Sequence, residues 1–168
     1  PWSCRITKDE CLDLPEKIYV TREVSMPDWQ QELYDTMRDK ALLSIEDELC
    51  SAENVLTQLI RLHQICCGHV RTDEGDILRI ENFRIEELME TVKDINGKVI
   101  IWATYRADIE VIIQKLSKAY GPRAVVDYYG DTKDTVRAQN IERFQENAAT
   151  RFFVGNPQTG GMGITLTA

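Results

Sequence analysis

The chain has 168 residues, 43% of them hydrophobic and 29% charged, and a formal net charge of −8. That length suits one domain, or one compact domain with a helical extension, and the acidic balance excludes a histone-like basic module while leaving room for a local strip of phosphate-facing donors. No apolar run reaches membrane-spanning length, the clearest being Val99-Ile100-Ile101-Trp102-Ala103, so no membrane partner is expected.

Residues 1–15 mix charges with turn formers (Pro1, Asp9, Asp13, Pro15) and read as a connector. The alternation in KIYVTREV, residues 17–24, predicts an edge strand. A helix follows from Pro27, which suits a first turn, with Trp29, Leu33 and Met37 at four-residue spacing. A second helix is expected from Ser51 as N-cap to Gly68 as terminator. Its apolar face is broad: Val55, Leu56, Leu59, Ile60 and Ile65, with Leu62 beside them. Residues 71–79 read as a turn or short ribbon centred on Gly75. Residues 86–95 read as a helix with Leu88, Met89 and Val92 inward, closed by Asn96-Gly97.

From Lys98 the pattern changes. Residues 99–103 predict a fully buried strand, and 106–118 a helix with Ile109, Ile112, Ile113 and Leu116 on one face. A strand at 124–128, a helix at 134–146 and a strand at 151–155 complete the run. Strand, helix, strand, helix, strand at these lengths implies right-handed crossovers and a parallel sheet. Ligands of such sheets gather beyond the carboxyl ends of the strands, so Thr104-Tyr105-Arg106 and residues 156–163 should face the same side.

Each of these loops carries a chemical signal and a structural alternative. Gly160, Gly161 and Gly163 remove side chains just past a strand, which lets backbone amides approach a charged ligand, or makes a tight turn. No Gly-Lys-Ser/Thr follows, so this is not a Walker A loop. Thr104, Tyr105 and Arg106 offer two hydroxyls and a guanidinium to phosphates, while Thr104 could equally cap the helix behind it. Arg106 in a first turn opposes the helix dipole, which favours an external anionic partner. Gly130 reads as a turn residue, Arg137 as a structural ion-pair former, and Ile141 and Phe144 as core.

The five cysteines, at 4, 11, 50, 66 and 67, form no regular framework, and free thiols in a reducing cytoplasm are the simpler reading. His63, Cys66, Cys67 and His69 are close enough to raise zinc, but there is no Cys-x-x-Cys partner, and packing is favoured over a metal site.

Three stretches carry a resemblance: RITKDECLDLPEK at 5–17, KVIIWATYRADIEVIIQKL at 98–116, and VDYYGDTKDTVRAQNIERF at 126–144 leading into TGGMGITLTA. Together they resemble the second RecA-like lobe of Swi/Snf-type ATPases of helicase superfamily two. Gln31-Glu32-Leu33-Tyr34 and Leu62-His63-Gln64-Ile65-Cys66 are similar to that family's helical region. The resemblance implies an α/β fold, a RecA-like parallel sheet flanked by helices with an N-terminal helical extension over about 27–95. It implies an inter-lobe connector at 1–16 and the lobe at 17–168, truncated within the glycine-rich motif. The activity implied is that of the second motor lobe of a DNA-stimulated ATPase that moves along duplex DNA.

ATP and Mg2+ would be held mainly by the missing N-terminal RecA-like lobe, the partner in cis, and the arginine fingers would lie beyond Ala168. The fragment alone is therefore expected to be inactive, with no catalytic residue inside it. Gly161, Gly163 and Thr165 fall at the nucleotide-facing positions, and Thr104, Tyr105, Arg106, Asn156, Gln158 and Thr159 at the DNA-facing ones. Pro157 and Gln158 stand where the family has Thr and Arg. Cytoplasmic placement is expected, in a host cell if phage-encoded. Two alternatives stay open: a non-catalytic nucleic-acid-binding scaffold, and an unrelated α/β nucleotide-binding or transferase domain.

Overall fold

A computed structural model describes residues 17–45, 48–161 and 164–166. The connector at 1–16, with Cys4 and Cys11, and Gly163 of the glycine-rich loop lie outside the described residues.

Helix α1, Asp28–Lys40, begins at Pro27, whose ψ of 153° is extended. Proline has no amide to leave unpaired there, and its carbonyl accepts from the Gln30 and Gln31 amides at 3.0 and 2.9 Å. The segment before it forms no strand. Ile18, Tyr19 and Val20 are exposed and pair with no strand among the described residues, and Arg22 ion-pairs with Glu87.

Strands β1, Leu42–Ile45, and β2, Glu48–Ser51, form an antiparallel hairpin where the sequence suggested none. Leu43 and Cys50 face each other across it and enter a core with Met37, Leu62, Ile65, Val70 and Ile80. Ser51 therefore ends a strand rather than capping a helix. The cap passes to Asn54, whose side chain accepts from the Thr57 amide at 2.9 Å, and α2 runs over Val55–Cys67. Only the carboxyl half of the expected apolar face is used: Leu62 and Ile65 are buried, whereas Val55, Leu56, Leu59 and Ile60 face solvent. Gly68 terminates α2 at a φ of +86°, with a hypothetical Cβ 1.7 Å from Asn82 Nδ2. Strands β3, His69–Arg71, and β4, Ile77–Arg79, form the short ribbon around Gly75, and α3 covers Arg84–Lys93.

The carboxyl half is the expected parallel unit: β5 Val99–Trp102, α4 Arg106–Tyr120, β6 Val125–Tyr128, α5 Asp134–Glu146, β7 Phe152–Gly155, then a single turn, α6, at Pro157–Gly160. The strand order is β5-β7-β6, with Val99 and Val125 both opposite Phe152. The last strand in sequence is thus the central one, and Phe152, Phe153 and Val154 are fully buried. Strand β5 lies at the edge, so it is not fully buried as its apolar run suggested; Ile100 and Trp102 are each 41% exposed. On one face of the sheet, Ile101, Val125, Phe152 and Val154 pack on Ile109, Ile112 and Leu116 of α4 and Val92 of α3. On the other, Val126, Tyr128 and Phe153 pack on Phe144 of α5.

Arg151 ties α3 to this sheet. Its guanidinium donates to the carbonyls of Val92 (2.6 Å), Ile95 and Gly97 at and beyond the helix end, and lies over the Tyr120 and Phe152 rings. A cation at a helix carboxyl end is favoured by the dipole, and the rings recover part of its desolvation.

Candidate nucleic-acid interface

Parallel register brings three strands to an end together. Trp102 and Tyr128 both sit opposite Gly155. Two further backbone bonds carry the ladder into the loops, from the Ala103 amide to Gly155 O (2.9 Å) and from the Asn156 amide to Tyr128 O (3.1 Å). Asn156 then joins two of these loops through one side chain. Its Oδ1 accepts from the Gln158 amide at 2.8 Å, capping α6, and its Nδ2 donates to Thr104 O at 2.7 Å.

The result is a cleft of about 240 Å³ at the carboxyl edge. Thr104 and Arg106 come from the first loop, and Asn156, Gln158 and Thr159 from the last. Five of the six residues assigned to DNA thus surround one space. Tyr129 and Gly130 line it from the loop after β6, and Ile109 from α4. The sequence reading took Gly130 for a turn and passed over Tyr129, although the same edge rule applies to the loop after every strand of a parallel sheet. Burial, reinforced by the carboxylates of Asp127, Glu110 and Asp131, pushes the Tyr129 phenol above its ordinary range and keeps it a donor.

Tyr105 is not in the cleft. Its hydroxyl meets His63 Nδ1 at 2.9 Å and its ring stands edge-on to His69, at 4.8 Å between centroids. It occupies the N-cap position of α4, where Thr104 had been the expected cap, and makes no side-chain capping bond. Tyr105 therefore anchors the loop to the helical extension, back-to-back with the cleft residues on either side of it. Arg106, expected to seek an external anion, has an internal one: Nη2 donates to Asp131 Oδ1 at 2.5 Å.

On the nucleotide side, Gly161 is committed to its own turn. Its amide donates to Pro157 O at 2.7 Å, and a Cβ there would lie 2.4 Å from the same oxygen. Its need for glycine is thus met within the chain. Thr165 is exposed. The described residues do not by themselves assemble a nucleotide pocket.

In the His–Cys cluster His63 hydrogen-bonds Tyr105 and Cys67 meets Arg84, while the buried His69 Nδ1 makes no hydrogen bond among the described residues. His69, 4% exposed, places Nδ1 3.2 Å from Asp108 Oδ1, and Arg84 Nη1 lies 2.9 Å from Cys67 Sγ. Among the described residues no group of three or more His, Cys, Asp or Glu side chains is arranged to hold a metal. Cys66 and Cys67 carry free thiols. Burial first, then the Asp108 carboxylate, raises the Cys67 thiol from its ordinary 9.0 to about 11. The folded state holds a proton there that the unfolded thiol releases, so this group's contribution to stability is full below pH 9.0 and is lost as pH rises towards about 11. Urea titrations across that window are expected to show a steeper decline for the wild type than for Cys67→Ala; parallel profiles would contradict the assignment.

A larger cavity, of about 300 Å³, lies between the β3–β4 ribbon and α4. It is lined by apolar residues such as Ile80, Ile85 and Val111 and by charged ones such as Arg79, Asp108 and Lys115, and none of the carboxyl-edge candidates Thr104, Arg106, Asn156, Gln158 or Thr159 lines it. No helix among the described residues is long and apolar enough to cross a membrane.

Comparison with known proteins gives first a fold. The Sulfolobus solfataricus SWI2/SNF2 ATPase C-terminal domain matches with a TM-score of 0.58 at 21% identity, over 85% of this chain and 64% of that one. The chain therefore has the α/β fold of a SWI2/SNF2 C-terminal lobe, a parallel sheet flanked by helices and preceded by a helical extension. In sequence it is similar to an uncharacterised ATP-dependent helicase of Mycoplasma genitalium, 27% identical over 174 aligned residues. That match takes in 100% of this chain but 16% of the helicase. No protein-family model matches the chain.

Proposed function

We propose that this chain is the second motor lobe, residues 17–168, with its inter-lobe connector, residues 1–16, of an ATP-driven translocase on duplex DNA. The observation that carries the reading is the convergence of Thr104, Arg106, Asn156, Gln158 and Thr159 on one cleft at the carboxyl edge of a parallel sheet. Hydroxyls, amides and, among the described residues, a single guanidinium dominate the lining beside Ile109 and Tyr129, and suit a phosphate backbone better than a base edge. Gln158 supplies an amide where the resembled family has a guanidinium, so the grip is weaker and more dependent on Arg106.

ATP would supply the energy for closing the two lobes on each other, with Mg2+ and the phosphate-cradling groups on the other lobe. Gly163 and Thr165 are the residues here that would face the nucleotide. The amide of Gly161 is already engaged, so it would act by shaping the turn that presents them.

Binding of a labelled duplex, followed by fluorescence anisotropy over a salt series, tests the DNA side. The chain is expected to bind weakly, with no preference among sequences and with steep loss as salt rises. Arg106→Ala should weaken binding about three- to tenfold at low salt and reduce the slope of log K against log salt by about 1. Sequence-selective binding that survives high salt, or an Arg106→Ala variant indistinguishable from wild type, would overturn the assignment.

A further inference from the structure

Among the described residues Arg106 is the one cation lining the cleft, and it is not available as it stands. Its Nη2 donates to Asp131 Oδ1 at 2.5 Å, from the loop that supplies the third wall of the same cleft. Both side chains remain accessible, 58% and 47% exposed, so a competing anion can reach the pair. We infer that Asp131 is a built-in competitor for the DNA phosphate, a carboxylate latch that holds Arg106 when the track is empty and must be displaced for the cleft to grip. This rests on the reading of Arg106 as a phosphate ligand.

The turn that carries Asp131 is held from several directions. The Tyr129 amide donates to Thr132 Oγ1, and the Thr132 amide returns a bond to Tyr129 O at 3.0 Å. Thr132 Oγ1 itself donates to Asp127 Oδ2. Arg137 Nη2 holds the carbonyls of Tyr129 (3.0 Å) and Gly130 (3.2 Å). Asp131 is therefore presented on a preorganised turn, and its side chain loses little further freedom in meeting Arg106. The guanidinium, by contrast, sits on a long stem at the first residue of α4 and is 58% exposed.

Two consequences follow from charge alone. A phosphate that takes Arg106 leaves the Asp131 carboxylate beside the incoming anion, which costs affinity. It also means that the latched cleft presents no net positive charge from this pair, so an empty lobe attracts DNA less than an unlatched one. Weak resting affinity is what a stepping motor needs in the half of its cycle when it must release the track.

The test is a double-mutant cycle on duplex binding, with Asp131→Asn, Arg106→Ala and the pair. Asparagine keeps the shape and removes the charge. Asp131→Asn is expected to tighten binding about threefold at low salt while shifting the slope of log K against log salt by much less than the loss of Arg106 does, because the number of phosphates contacted is unchanged. In the Arg106→Ala background the same change should tighten binding by distinctly less, because only the direct repulsion between Asp131 and the phosphate is then relieved. Equal tightening in both backgrounds would overturn the latch in favour of general repulsion. No tightening in Asp131→Asn, with Arg106→Ala still weakening binding, would overturn the latch while leaving the phosphate site intact. If Arg106→Ala has no effect, the phosphate site falls and the latch with it. Melting of Asp131→Asn within a degree or so of wild type would show that the change acts on binding and not on folding.

Discussion

Replacing Phe153 by alanine is expected to cost about 3–5 kcal/mol, enough to remove a large part of the stability of a domain this size. Phe153 is the middle of the central strand and is fully buried. Its ring stacks with Tyr128 at 5.5 Å, tilts against Phe144 at 5.4 Å and meets Trp102 edge-on at 5.9 Å. Those partners come from β6, α5 and β5, so one truncation opens a cavity that no single element can close by moving. The midpoint of chemical denaturation, read by tryptophan fluorescence, measures this. A loss below about 1 kcal/mol would mean that the neighbours collapse freely, and that β7 is not the keystone of the sheet.

The second large effect joins stability to function. In Gly155→Ala a Cβ would stand 2.7 Å from Tyr128 O and 2.9 Å from Trp102 Cζ3. The Tyr128 carbonyl cannot withdraw cheaply, because it accepts from the Asn156 amide at 3.1 Å. Relief therefore requires β6 and β7 to part at their carboxyl ends, at a cost of about 1–3 kcal/mol. Gly155 immediately precedes Asn156, which holds the first and last loops of the cleft together through Thr104 O and the Gln158 amide. Parting the strands there shifts that tie, so duplex affinity should fall together with melting temperature. Affinity that stays at the wild-type level in a destabilised Gly155→Ala protein would separate the cleft from the strand ends and contradict the proposed site.

The parallel unit was readable because its signals are local. Ile109, Ile112 and Leu116 recur at helical spacing and all three are buried on α4, and the helix expected over 134–146 is observed over Asp134–Glu146. Strands that alternate with helices of that length have few topologies open to them, and every one sends the loops after 102 and 155 to one edge. That is why the loops carrying all six DNA-facing candidates could be assigned to one edge before any coordinates, and the structure then gathers five of the six around one cleft.

The misreadings share a different cause. The run VIIW of β5 and the run FFV of β7 are equally apolar, yet one strand is at the edge and the other at the centre. Strand order is decided by which neighbours arrive from elsewhere in the chain, and apolarity within a run does not encode it. The hairpin of β1 and β2 rests on Leu43 meeting Cys50 over the α1–α2 core, a long-range pairing that overrode the local helix-start signal at Ser51. Residues 17–24 have the alternation of a strand, yet they pair with none of the sheets among the described residues.

At the cleft the division is the same. Residue types and their order along the chain were enough to mark the two loops and the polar groups that line the cleft. That Tyr105 turns away to His63 and His69, that Gly161 spends its amide on Pro157, and that Asp131 occupies Arg106 follow from packing. Side-chain direction at a helix start depends on what stands next to it, and ion pairs form between residues 25 apart only once the fold has brought their loops together.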